Sequence, residues 1–200
     1  MTWQRFKHWW TNVFWYHYGK STVITLLVLG VVGFAVYDMS KRIQPEFTYV
    51  FATDYFVMQE DLDTLTQLFI DETPDMNGDS FVSIYPIAIC MQDEESTPFD
   101  RLVLTFFNDE TYLYIVDQMV ADWLLMDDSL TELAPIGFKE DMLYKEKLIR
   151  IDDLPIIRSI FKDPEAMYVC LRRTSDNMND LQKMSFDLSL NAMCALLASN

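Results

Sequence analysis

Residues 21–37 read STVITLLVLGVVGFAVY, without a charge, a proline or a side-chain amide. As a helix they rise ~1.5 Å per residue and cover ~25 Å, against ~30 Å for the hydrocarbon core of a bilayer. Lipid offers no partner to an open backbone N–H or C=O, so such a segment closes its hydrogen bonds within itself. Buried core helices usually show apolar runs of ~10–14 residues. This run is longer, with Lys20 before it and Asp38, Lys41 and Arg42 after it. It reads as a membrane span. The chain then divides into an arm at 1–20, the span at 21–37, a linker at 38–46 and an outer domain at 47–200.

Charge is unevenly shared between these parts. Residues 1–42 hold Arg5, Lys7, Lys20, Lys41 and Arg42 against Asp38, a net of +4. The whole chain is at −16, so the remainder carries −20. A domain so acidic repels phosphate backbones and anionic headgroups, which excludes nucleic acid as its partner. The ordinary use of so many carboxylates is a solvated surface; a cation or a basic partner is the alternative.

The arm, TWQRFKHWWTNVFWYHYGK, holds eight aromatics: Trp3, Phe6, Trp9, Trp10, Phe14, Trp15, Tyr16 and Tyr18. Trp and Tyr favour the headgroup level, where a flat apolar ring and a polar edge are both satisfied. The arm is expected to touch the interface, with its aromatics spread too widely for a clean amphipathic stripe. Three basic residues and no acid precede the span, while Lys41 and Arg42 follow it with Asp38. By the positive-inside rule the arm is cytoplasmic and residues 43–200 lie outside. The competing reading is a cleaved signal peptide, whose apolar region runs ~7–15 residues before a small-x-small site. The one such site, Gly33-Phe34-Ala35, falls inside the apolar run, so an uncleaved signal anchor is preferred. Gly19-Lys20-Ser21-Thr22 ends like a phosphate-binding loop, but position 14, where that loop needs glycine, is Phe.

Past the linker, β-rich runs alternate with helical patterns. Phe47–Ala52, Phe81–Cys90, Tyr112–Val116, Lys147–Ile151 and Ala166–Leu171 read as strands. Met58–Glu72, the segment opened by Thr97-Pro98, Val120–Met126, Pro155–Phe161 and Asp176–Leu197 read as helices. The clearest amphipathic pattern is Phe99, Leu102, Val103, Phe106 and Phe107 at i, i+3, i+4, i+7 and i+8. Pro86 marks its strand as an edge or a bulge. Pro135–Lys145 reads as loop. The alternation predicts an α/β sandwich with a mostly parallel sheet.

Short strand, amphipathic helix and Asn77-Gly78-Asp79 turn lead to a second strand, a phenylalanine-lined helix and YLYIVD, then SLTEL and later AMYVCLRR. This order resembles one lobe of the extracellular solute-binding proteins of bacterial ABC importers. The resemblance covers about residues 46–200 and implies a ligand cleft at the strand ends. Those proteins close two lobes around a ligand, whereas this sequence carries the chain for one. The lipoprotein cysteine of many Gram-positive members is replaced by the membrane helix.

The outer domain has no histidine, which removes His-based triads and the common zinc sets. The acid pairs Asp127/Asp128 and Asp152/Asp153 are adjacent in sequence, which does not aim both at one substrate. No enzyme and no cofactor is expected. Asp75, Asn77 and Asp79 match positions 1, 3 and 5 of a calcium loop. Positions 6 and 12, which want glycine and a bidentate glutamate, hold Ser80 and Pro86, so a plain helix-to-strand turn is preferred. Cys90, Cys170 and Cys194 form no CxxC; they read as small buried hydrophobes, with a Cys90–Cys170 bridge as the alternative. In open parallel sheets ligands sit beyond the carboxyl ends of strands. Asp54, Tyr55, Asp117, Arg172 and Arg173 occupy such ends and form the candidate ligand site. Two functions follow as expectations: a non-enzymatic membrane protein whose outer domain docks on a membrane or cell-surface protein, or a small-solute or cation binder feeding a transporter.

Overall fold

Trp3 opens a helical run that continues to Ser40: α1 (Trp3–Trp9), a π turn (Trp10–Phe14) and α2 (Trp15–Ser40). The computed structural model describes residues 2–40, 45–75, 80–92, 97–107, 111–126, 128–161, 166–175 and 177–199. Among the described residues, Trp3–Tyr37 is the one helix long and apolar enough to cross a membrane. Its large side chains are exposed, from Trp3 through Leu29 to Tyr37, unlike those of a core helix. The Thr25 hydroxyl donates to the Ser21 carbonyl at 2.9 Å, which satisfies a polar group inside the apolar stretch. Arm and apolar stretch thus form one helix.

Residues from Pro45 onward form a second compact unit, apart from Met1–Gln44. In chain order it contains β1 (Phe47–Thr53), α3 (Gln59–Glu72), β2 (Ile84–Cys90), α4 (Pro98–Phe107), β3 (Thr111–Asp117) and α5 (Gln118–Met126). The short strands β4 (Leu143–Tyr144) and β5 (Leu148–Arg150) follow, then α6 (Pro155–Ile160), β6 (Met167–Leu171) and α7 (Asp180–Ala198). The described strands make one six-stranded sheet in the order β2-β1-β3-β6-β5-β4. β1 pairs in parallel with β2 and β3, whereas β3–β6, β6–β5 and β5–β4 are antiparallel. The α/β class holds, but the sheet is mixed and not mostly parallel: parallel pairing is confined to β1 with β2 and β3. Strand–helix alternation favours parallel neighbours only where a helix crosses over, and β4 and β5 are joined by a tight turn instead.

Alternation along each strand builds two cores. Phe47, Tyr49, Phe51, Leu113, Ile115, Val169 and Leu171 face α3 and α7 through Leu65, Phe69, Leu188, Ala192 and Leu196. Val50, Ala52, Tyr114, Val116, Tyr168 and Cys170 face α4 and α5 through Leu102, Phe106, Val120 and Leu124. β3 is buried along its whole length, as a central strand covered on both faces must be. β2 is an edge strand with Pro86 inside it, as the proline predicts. The asparagine–glutamine capping box Asn179/Gln182 starts α7, with the two side chains each accepting the other's backbone N–H at 2.8 and 2.9 Å.

The three cysteines are free. Cys90 on β2 and Cys170 on β6 are separated by β1 and β3. Three inter-strand spacings of ~4.8 Å put them near ~14 Å apart, twice the reach of a disulfide. Cys90 is half-buried, Cys170 fully buried and Cys194 exposed. Burial pushes the Cys170 thiol well above the ordinary thiol range and so keeps it unreactive.

Candidate functional site

The order β2-β1-β3 places a switch of direction at β1. The chain leaves β1 through α3 to reach β2 on one side, then returns through α4 to β3 on the other. The crevice beyond the carboxyl ends of β1 and β3 is where such a sheet receives a ligand. Asp54 follows β1 and Asp117 ends β3, so the structure brings these two predicted residues together. The Asp54 backbone N–H donates to Asp117 Oδ2 at 2.5 Å, and Val120 N–H donates to Asp117 Oδ1 at 3.0 Å. Asp117 is 3 % exposed. It caps α5 from the residue before the helix, with its charge at the positive end of the helix dipole. Both Asp117 oxygens are therefore taken up by amides of the chain itself. The Asp54 carboxylate turns the other way and accepts from Gln92 Nε2 at 3.0 Å.

Tyr55 points toward α6, with its ring centroid 6.1 Å from that of Phe161. Phe161 also stacks on Phe51 at 6.0 Å. Phe51 and Tyr55 also line a recess of about 390 Å³ around the carboxyl ends of β1 and β2, with Phe56, Cys90, Gln92 and Arg101 among others. Phe56 is 83 % exposed at its rim. Phe56, Gln92 and Arg101 were not legible as site residues. Their signal was a lone aromatic and an amide just past two strand ends, a pattern that ordinary loops share.

Arg172 and Arg173 lie elsewhere. β6 runs antiparallel to β3, so its carboxyl end falls beside the amino end of β3: Arg172 N–H donates to the Tyr112 carbonyl at 2.8 Å. The Arg172 guanidinium sits 5.7 Å from the Phe106 ring and 5.8 Å from that of Tyr112. Arg173 Nη1 donates to Asp128 at 3.1 Å, and Lys147 Nζ bonds the same carboxylate. Those two cations, Lys147 first, hold the Asp128 carboxyl below its ordinary range. Neither arginine reaches the Asp54–Asp117 crevice, because the reversal of β6 carries both to the opposite end of the strands, beside the amino end of β3.

The Asp152/Asp153 pair also parts. Asp152 is clasped by Arg150 in a two-pronged contact, 2.6 Å from Nε and 2.8 Å from Nη2, which holds its carboxyl below the usual range. Asp153 instead pairs with Arg158. Of the calcium-like turn, Asp75 is described, and its Oδ2 accepts the Ser80 N–H at 2.8 Å. Ser80 takes a left-handed φ of 69° to close that turn. Asn77 and Asp79 lie outside the described residues, as do Asp127, Lys41 and Arg42. Among the described residues no group of three His, Cys, Asp or Glu side chains is placed to hold a metal. At the opposite end of β1 the buried Glu46 carboxylate accepts the Ser83 N–H at 2.6 Å and clamps the start of the β1–β2 pair.

No protein family, curated protein or solved structure matches this chain.

Proposed function

We propose that the chain is a non-enzymatic, single-pass membrane protein anchored by residues 21–37, whose outer α/β domain docks on another protein of the membrane or cell surface. One observation carries this reading: at the switch point of the sheet Asp117 is buried with its two oxygens bonded to the Asp54 amide and the start of α5. A solute at that place would have to displace an internal anion from a helix N-terminus. Residues 43–200 lie outside in this reading and the arm in the cytoplasm. The likeness to one lobe of a solute-binding protein rests on the β1-α3-β2-α4-β3 order, and docking is how a single lobe covers its open face.

The second reading is a small-solute binder, favoured by the recess at Phe56, Gln92 and Arg101. A site closed by one lobe leaves half its wall to water and holds a small polar solute weakly. Calorimetry of the purified outer domain against sugars, amino acids and short peptides separates the two. The docking reading expects no sub-micromolar affinity. Tight binding of one solute, lost on Arg101→Ala or Gln92→Ala, would replace it with the solute-binding reading.

A further inference from the structure

The helix of the first unit is longer than a bilayer needs. Trp3–Tyr37 is 35 residues, ~50 Å of rise, against ~30 Å of hydrocarbon. If residues 21–37 span, the turns before Lys20 are left outside the hydrocarbon with their side chains bare. Those turns carry an ordered array. Trp3 and Phe6 stack at 5.8 Å, Phe6 and Trp10 at 6.1 Å, Trp10 and Phe14 at 4.6 Å, and Phe14 meets Tyr18 at 5.9 Å. The sequence alone gave no single aromatic stripe. The helix makes one, since residues three and four apart lie on one face and the π turn Trp10–Phe14 keeps Phe14 against Trp10.

A continuous ring ladder this exposed needs a cover. Trp3 is 76 % exposed, and Trp9, Trp10, Trp15 and Tyr18 are also exposed. Lys7 joins Trp3, Phe6 and Trp10 around a recess of about 340 Å³. The arm has Arg5, Lys7 and Lys20 and no acid. A second copy would oppose like charges, and the −20 outer domain lies across the membrane in the orientation proposed. Rings with one polar edge beside fixed positive charges match a layer of anionic phosphates above acyl chains. The ladder is also continuous with the span, so the surface it meets first is that of the bilayer.

We infer that the arm is an anionic-lipid-binding element: its ring ladder enters the headgroup layer of the cytoplasmic leaflet and Lys7 and Arg5 bind lipid phosphates. The inference rests on the membrane-anchored reading above. Lying on that surface requires the continuous helix to bend, and Gly19 with Ser21 is where a glycine and a serine resist a bend least.

The full chain carrying Trp123→Phe keeps all its tryptophans in the arm, at positions 3, 9, 10 and 15. It is reconstituted into vesicles of phosphatidylcholine, with or without phosphatidylglycerol, and floated through a density step before fluorescence is read. The expected result is flotation with both vesicles, but blue-shifted emission and protection from acrylamide only with phosphatidylglycerol. Each basic residue contributes about fivefold to the preference for an anionic surface. Arg5→Gln with Lys7→Gln should therefore return quenching to its level in neutral vesicles. Should Trp123→Phe misfold the outer domain, the charge variants compared with the unmodified chain give the same reading, since Trp123 contributes equally to both. Flotation with equal acrylamide access in both lipids overturns the lipid inference and leaves the anchor standing. So does protection that grows with the protein-to-lipid ratio, which marks a second copy as the cover. Failure to float with either vesicle overturns the anchor and the inference together.

Discussion

Asp117 shows how one carboxylate decides what a strand end does. It closes a strand that is buried from end to end, and its two oxygens receive one N–H from the β1 loop and one from the first turn of α5. Replacing it with alanine removes the cap and leaves two amides facing a crevice. The expected loss is about 2–3 kcal/mol of unfolding free energy, read by urea denaturation. Asn keeps the helix cap through its one oxygen but turns an NH2 toward the other amide donor, so it should recover only about half. If Asp117→Ala leaves stability unchanged, the residue is held for a ligand and not for the fold. The sequence did mark Asp54 and Asp117 as strand-end acids that meet. It did not show that the meeting is a hydrogen bond within the domain, because that depends on how far β3 projects past β1. Arg172 and Arg173 were placed at the same crevice by the same rule, which holds for parallel strands only. The direction of β6 is fixed by its pairing with β3 and β5, and no local pattern in AMYVCLRR records it.

At the scale of elements, segments with an apolar period or a proline start were legible, down to the short β5 and α6. The phenylalanine-lined helix, the YLYIVD strand and the edge strand with Pro86 follow from apolar spacing and proline chemistry alone. Lys147–Ile151 did read as a strand and is β5, but its hairpin partner β4 escaped notice within Pro135–Lys145 because the turn between them lacks the residues that announce one. Lys145 and Glu146 both adopt left-handed φ, 50° and 65°, with Lys147 N–H bonding the Tyr144 carbonyl at 3.4 Å. Two successive positive φ values between antiparallel strands make the turn that asparagine and glycine normally supply. Side chains with a Cβ are strained there by ~1–2 kcal/mol each. The Lys145–Asp122 contact that the substitution removes is exposed at both ends and contributes little. Lys145→Asn with Glu146→Gly should therefore stabilise the isolated outer domain by about 1 kcal/mol, seen as a higher urea midpoint with an unchanged slope. A lower midpoint would mean that these side chains stabilise the hairpin by contacts outweighing the backbone strain.

For the whole molecule, the sequence divides at the charge step, and the structure divides beside it, into Met1–Gln44 and Pro45–Asn200. The length and exposure of the apolar helix agree with an anchor, while the side of the membrane on which each unit sits depends on charge. Arg5, Lys7 and Lys20 precede the span without an acid, which in the proposed orientation puts the arm on the side where basic residues accumulate. Lys41 and Arg42 oppose them from the other end, with a margin of one charge. The outer domain's −20 adds little to that balance, since long acidic domains cross membranes largely regardless of charge. Protease added to intact cells should accordingly digest residues 43–200 and spare a fragment containing the arm, detected by a tag fused before Thr2. Cleavage should begin in exposed connections such as the one between α5 and β4, because the covered strands β1 and β3 lack accessible backbone. Permeabilised cells should lose the tag as well. If the outer domain survives in intact cells and is cut only after permeabilisation, the two basic residues after the span outweigh the three before it. The arm would then face outward, and its anionic-lipid contact would have to be sought on the opposite leaflet.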